Sequence, residues 1–350
     1  MSARIRSIGT ANPKRLITRD EWLAIADRIS PPEVDRAVLA RLAHRSEIDT
    51  RACAVFESDD ECFYRAGEVP STAERMAIWS VAARTMSLEA CVKALAGAAI
   101  TPGEVTHIIT ASCTGFESPG IDAHLIASLG LARTVQRLNV GFMGCHAAVN
   151  ALAAARNAVL ANPAAIALVC CAEVPSAHFH HTARLDQLVA NTLFADGAAA
   201  VVVAHGHDSA SPELAATHTT LIADTANQMR WTIGDRGFEM TLGARVPDVL
   251  EREVGAWVRT ALAESGLAIT DIASWAIHPG GPRVIDAVLA ALALPPDAGA
   301  PSRAILRDYG NMSSATLLFI LERLHATRAP RPWVGLAFGP GLVGEMVIMR

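Results

Sequence analysis

The stretch Asn139-Val140-Gly141-Phe142-Met143-Gly144-Cys145-His146-Ala147-Ala148 decides how this chain is layered. Thr134–Val140 reads as a strand, the two glycines mark a turn, and the alanine-rich run from Cys145 to Leu160 reads as a helix. Upstream, Val105–Ala111 reads as a strand and a helix passes through His124–Leu129. Downstream, Ala165–Ala172 is again a strand. The order is β-α-β-α-β, the rhythm of a sheet layered with helices. It recurs later in the chain. Strands are expected at Ala198–Ala204, His218–Ala223 and Ile272–Ile277, and helices at Pro247–Ser265, Pro282–Ala293 and Ser313–Ala326. Trp333–Phe338 and Gly344–Met349 read as closing strands. No short tandem repeat is present, so the recurring order predicts two pseudo-equivalent halves, 1–190 and 191–350. The first hundred residues read as helix-rich. Thr18 and Glu21 frame a capping box for a helix to Ile29, and a long helix runs from Ser71 to Leu95.

Bulk properties narrow the class. The chain has 350 residues, 51% of them hydrophobic and 19% charged, which permits a large core and excludes global disorder. A formal net charge of -5 argues against nucleic acid as the main partner. The start, Met1-Ser2-Ala3-Arg4-Ile5-Arg6, has no apolar signal region. No segment reaches the roughly 18 apolar residues of a membrane span. A cytoplasmic protein is expected. The seven cysteines lack regular spacing and read as reduced thiols. Cys170 and Cys171 read as strand filling. His178, His180 and His181 lie near them, but adjacent strand cysteines point to opposite faces, so no metal site is expected.

Three small-residue contexts carry chemistry. Cys145 stands where a glycine turn opens a helix, and the helix N-terminus favours a thiolate. Cys113, in Ala111-Ser112-Cys113-Thr114-Gly115, is a rival that reads as a pocket wall. His278, in Trp275-Ala276-Ile277-His278-Pro279-Gly280-Gly281-Pro282, closes a buried strand, and Gly280 and Gly281 let a backbone or a cofactor approach. Asn311 lies in Gly310-Asn311-Met312-Ser313-Ser314-Ala315, just before a helix. Taken singly, each has a plainer reading: a structural thiol, a core histidine, a helix cap. Together they supply a nucleophile and two N–H donors. An enolate made by decarboxylating a malonyl thioester needs such donors in a dry site.

These motifs, in this order, resemble the type III polyketide synthase family, also called chalcone synthase-like, in its bacterial form. The resemblance covers nearly the whole chain. It includes Thr114–Asp122, Gly141–Ala148, Leu193–Val202, His278–Pro282, Tyr309–Ala315 and Phe338-Gly339-Pro340-Gly341-Leu342. It implies a thiolase-like α/β fold, layered α-β-α-β-α. It implies Cys145 as the acyl-carrying nucleophile, His278 and Asn311 as its partners in decarboxylation, and Phe194 and Phe238 as gate aromatics. Cys113, Ser118, His178 and Ser313 fall at pocket positions, Arg41 and Arg45 at the mouth of a CoA tunnel, and Gly280 and Gly281 with them among the CoA-binding positions. Substrates would be an acyl-CoA starter and malonyl-CoA, with no permanently bound cofactor, in a homodimer. The departures at Cys113, Ser118 and His146–Ala148 favour a fatty acyl starter over a plant-type aromatic one. The product would be an alkylresorcinol, a phloroglucinol or a pyrone. A single-condensation ketoacyl synthase and a non-catalytic thiolase-fold scaffold are the alternatives.

Overall fold

The computed structural model describes residues 2–56, 63–65, 68–208 and 210–350. Cys62 lies outside them, and the other six cysteines are buried free thiols.

The first half runs β1 (Ala3–Ala11), β2 (Leu16–Thr18), α1 (Arg19–Ile29), α2 (Arg36–Arg45), β3 (Thr50–Ala52), α3 (Thr72–Ala98), β4 (His107–Ser112), α4 (Ile121–Leu129), β5 (Gln136–Gly141), α5 (Ala147–Ala161), β6 (Ile166–Glu173), α6 (Leu185–Leu193) and β7 (Gly197–His205). The second continues with β8 (Leu214–Leu221), β9 (Met229–Gly234), β10 (Gly237–Leu242), α7 (Val246–Glu264), β11 (Ser274–Ile277), α8 (Pro282–Leu292), α9 (Ala300–Tyr309), α10 (Ser314–Ala326), β12 (Trp333–Gly339) and β13 (Val343–Met349). The expected capping box is present on α1: Glu21 N–H donates to Thr18 Oγ1 at 3.3 Å, and Thr18 N–H to the Glu21 carboxylate at 2.7 Å. Ser71 and Glu74 do the same for α3.

Two sheets form. The first has the order β1-β7-β6-β4-β5, antiparallel across β1–β7–β6 and parallel across β6–β4–β5. The second has the order β8-β13-β12-β11, antiparallel, antiparallel, then parallel. The second sheet thus repeats the first as far as β4 and lacks only a counterpart of β5. Strand β7 lies beyond the expected division at 190/191, yet it pairs with β1 and β6. The halves therefore divide in the 206–213 connection. The run Gly197–Ala204, buried throughout, carries no face preference that could assign it to either sheet from sequence.

Strand alternation sorts the core into layers. Leu168, Cys170 and Ala172 of β6 pack outward on α3 and α4, while Ala167, Val169 and Cys171 pack inward on α5 and α10. The second sheet turns Trp275, Val334, Leu336 and Met346 outward onto α7 and α8. Helix α10 is buried on every face from Ser314 to Leu321, as a helix between two sheets must be. Each fully buried leucine there contributes about 1.5–3 kcal/mol relative to exposure. The layering is α-β-α-β-α, with α5 and α10 in the middle. Among the described residues no helix is long and apolar enough to cross a membrane.

Candidate active site

The two central helices begin at the residues of interest. Strand β5 ends at Gly141, and the chain turns through Phe142 (φ 61°) and Gly144 (φ 89°) to reach Cys145, two residues ahead of α5. A Cβ on Gly144 would fall 2.5 Å from Pro340 Cδ, so glycine is needed there for both conformation and space. Ahead of α10, Gly310 (φ 74°) lets Asn311 approach α6: its own Cβ would fall 2.9 Å from that of Ala195.

Hydrogen bonds tie the two junctions together. Asn311 Oδ1 accepts the Ser313 N–H at 2.9 Å, and Ser313 Oγ donates to Cys145 Sγ at 3.5 Å. The helix cap of α10 is Ser313 rather than Asn311. With its Oδ1 engaged, Asn311 has Nδ2 left to donate, and no acceptor among the described residues takes that hydrogen. The backbone of Asn311 also pairs with the segment around Phe194. Asn311 N–H donates to Leu193 O at 3.0 Å, and Ala195 N–H donates to Asn311 O at 2.9 Å.

His278 follows β11, with its N–H on Leu336 O at 2.8 Å. It is 1% exposed, yet neither ring nitrogen has a hydrogen-bond partner among the described residues. A buried polar side chain without partners is rare and marks a group held for something else. Burial pulls its pKa down to about 3, and the nearby His146, next to Cys145, lowers it further. Burial likewise pushes the Cys145 thiol up to about 12, against the pull of the Ser313 hydroxyl. Thiol and imidazole therefore rest neutral.

A small pocket opens beside Cys145, lined by Cys113, Phe194, Met229, Trp231, Met240, Ser313 and Pro340 among others. Of the residues expected there, Cys113, Phe194 and Ser313 do line it. Phe238 and His178 stand behind the wall: their rings stack at 4.2 Å. His178 Nε2–H donates to Thr114 O at 2.6 Å and its Nδ1 accepts the Phe238 N–H at 3.0 Å, which fixes a neutral tautomer. Burial takes this imidazole down to about 3. His180 meets Phe238 O, and His181 meets Ile29 O. Ser118 is exposed on the surface beside Phe116. Arg41 and Arg45 project from α2 into solvent. Gly281 caps α8 against Leu193, and Gly280 precedes it.

Sequence reasoning missed several wall residues. Trp231 closes the cavity, with its Nε1–H on Cys113 O at 2.7 Å. Glu173, fully buried, gathers the N–H groups of Cys113 and Thr114 and the hydroxyls of Ser112, Thr114 and Ser314. Burial raises its pKa while these donors lower it. Behind the nucleophile, His146 Nδ1 meets Asn150 Oδ1 at 2.9 Å, and Asn150 Nδ2 donates to Glu345 at 2.9 Å. Because Asn150 must present its oxygen to the ring, Nδ1 carries the hydrogen.

A thiol ahead of a helix beside an apolar pocket, a carboxamide linked to it through Ser313 and a buried unpartnered imidazole, within two stacked copies of one sheet pattern, fit a thiolase-fold condensing enzyme. Residues 2–207 match the family described as chalcone and stilbene synthases, N-terminal domain, and residues 213–350 its C-terminal domain. The chain belongs to this family, the type III polyketide synthases, acyltransferases that join CoA thioesters by Claisen condensation. It is 35% identical over 346 residues to the 1,3,6,8-tetrahydroxynaphthalene synthase of Streptomyces peucetius subsp. caesius, covering 97% of this chain and 90% of that one. It is 31% identical over 353 residues to the alpha-pyrone synthesis polyketide synthase-like Pks18 of Mycobacterium tuberculosis, covering 97% and 89%. The crystal structure of PKS-I from the brown alga Ectocarpus siliculosus superposes with a TM-score of 0.96 at 28% identity, covering 100% of this chain and 98% of that one.

Proposed function

We propose that this chain loads a short acyl group from its CoA thioester onto Cys145 and extends it by repeated decarboxylative condensation with malonyl-CoA. The sulfur attacks the acyl carbonyl as His278 takes the thiol proton, and CoA leaves as the protonated thiol. Malonyl-CoA then loses CO₂. The electron pair moves onto the thioester oxygen, where N–H groups of His278 and Asn311 hold it. The enolate carbon attacks the acyl group and displaces the Cys145 sulfur. Phe194, Met229 and Met240 make the wall apolar, which disfavours a carboxylate relative to CO₂.

The observation that carries this reading is His278, buried near His146 with neither ring nitrogen partnered among the described residues. The pocket lining bears on the starter: Trp231, with its Nε1–H on Cys113 O, takes up room beside Cys145 that the fatty acyl group expected from sequence would need. A small starter, few extensions and closure to a phloroglucinol, pyrone or naphthalene-type ring fit this lining; relatives named for tetrahydroxynaphthalene and for alpha-pyrone synthesis support ring closure of that kind.

Arg41 and Arg45 are proposed to meet the CoA phosphates, since each is exposed with no ion-pair partner among the described residues. The enzyme is proposed to be a cytoplasmic homodimer. Edge strand β5 has one free side, and Phe116, Leu138, Phe142 and Met143 near it are 56%, 47%, 39% and 41% exposed. The test is a panel of acyl-CoAs from acetyl to palmitoyl, each with malonyl-CoA, read by mass spectrometry. Short starters extended two or more times support the reading. Exclusive use of long chains overturns the starter assignment, and products of one condensation only overturn iteration.

A further inference from the structure

Arg51, in β3, is 1% exposed. A buried cation ordinarily sits against a carboxylate, because an unpaired one costs several kcal/mol. Among the described residues Arg51 has no acidic partner. Its Nη1 donates to Thr192 O and, at 3.3 Å, to Phe194 O, and its guanidinium lies 4.9 Å above the Trp22 ring. Among the described residues its Nη2 has no hydrogen-bond partner. Burial lowers its pKa to about 10, which still leaves it charged at neutral pH.

The carbonyls it grips are informative. Thr192 and Phe194 close helix α6, where carbonyls lack intrahelical donors and the helix dipole is negative. The carbonyl between them, on Leu193, accepts the Asn311 N–H at 3.0 Å. Three consecutive carbonyls are therefore held alternately, by the guanidinium, by Asn311 and by the guanidinium again. The next residues return to the strand that carries Arg51. Asp196 N–H donates to Ala52 O at 2.8 Å, and Ala54 N–H donates to Asp196 Oδ2 at 2.7 Å. No hydrogen bond links Arg51 to Cys145, His278 or Ser313.

We propose that Arg51 is a positioning residue for the decarboxylation half of the reaction: it sets Phe194 and Asn311 in register with each other while leaving acyl loading on Cys145 to proceed without it. This rests on the roles proposed above for Phe194 and Asn311. The two halves of the reaction give separate readouts. Loading is followed as the mass gain of the intact protein with starter acyl-CoA alone, and decarboxylation as CO₂ released from malonyl-CoA.

For Arg51→Lys, which keeps the charge and loses the fork, and Arg51→Met, which loses both, loading stays within about twofold of the parent while CO₂ release falls about tenfold or more, the effect of losing roughly 1.4 kcal/mol of preorganisation. Gly310→Ala presses a methyl on Ala195 from the other side of the same segment and gives the same split. Equal loss in both readouts, parent-like values in both, or failure of both arginine variants to fold overturns the proposal, since the residue is then structural or idle. Asn311→Ala is run alongside. If it releases CO₂ like the parent, the assignment of Asn311 falls; if it is impaired while the arginine variants are not, only the role of Arg51 falls.

Discussion

Ser313 Oγ lies 3.5 Å from Cys145 Sγ and 3.0 Å from Cys113 Sγ, so one hydroxyl serves two thiols. Of the two, only Cys145 opens a helix and only Cys113 touches Glu173, whose carboxylate raises that thiol further. The same hydroxyl favours a thiolate at both positions, but at 113 the adjoining carboxylate opposes it more strongly. Ser313→Ala removes the donor and moves the Cys145 pKa upward. Alkylation of Cys145 by iodoacetamide should slow by roughly tenfold at pH 8, the scale of a hydrogen bond to a charged group. An unchanged pH–rate profile would show that the hydroxyl does not tune the thiol.

Cys145→Ala should abolish chain extension and leave measurable CO₂ release from malonyl-CoA, because His278 and Asn311 remain. Radiolabelled malonyl-CoA reports both products at once. Extension by the alanine enzyme would remove Cys145 from the reaction.

Trp231→Ala opens the cavity and frees Cys113 O. The product mixture should shift to chains longer by at least one malonyl unit, or to acceptance of longer starters, seen by mass spectrometry. A stability loss of a few kcal/mol accompanies the cavity, so assays belong well below the melting temperature. The same product spectrum from a folded variant would mean that Trp231 does not limit length.

His178 ordinarily titrates near 6.5 and is held near 3 in the fold by burial. Between those values the unfolded chain binds the extra proton and the native one does not. The stability this group contributes is therefore complete above about pH 6.5 and is lost as pH falls toward 3. His178→Gln keeps a donor for Thr114 O and an acceptor for Phe238 N–H without the titration. Its melting temperature should fall less between pH 7 and pH 5 than that of the parent. Parallel curves would assign the acid sensitivity elsewhere.

Leu138→Asp places a charge on the free side of β5. Light scattering should show the dimer of the parent converted to monomer, with folding retained. A monomeric parent, or a dimeric variant, would move the interface off this strand.

What was legible in the sequence was mostly the junctions. Gly144 before Cys145 and Gly280 and Gly281 after His278 mark places where strand gives way to helix, and Gly310 before Asn311 marks the break between α9 and α10; at Gly144 and Gly310 a positive φ and a close neighbour require glycine. Strand β1 was not legible. Its inward positions, Ala3, Ile5, Ser7, Gly9 and Ala11, are nearly all small, so the alternation that signals a strand has no contrast. Hairpin β9–β10 hid for another reason. Trp231, Phe238 and Met240 all lie on it, and spacing alone does not say which of them meets Cys145 and which stacks on His178. Glu173 reads as an ordinary charge at a strand end. Only the folded arrangement shows the ends of β4, β6 and α10 converging on it.

Helices α5 and α10 lie side by side at the centre, one delivering the sulfur and the other following the amide, each from its own sheet. The spacing between the reacting groups is thus a property of non-covalent contact between two duplicated frames, joined directly in sequence only through 206–213. A break in that tether would leave two fragments, each holding an incomplete centre, and turnover would then depend on their meeting, rising with the square of concentration when the fragments are dilute and equimolar.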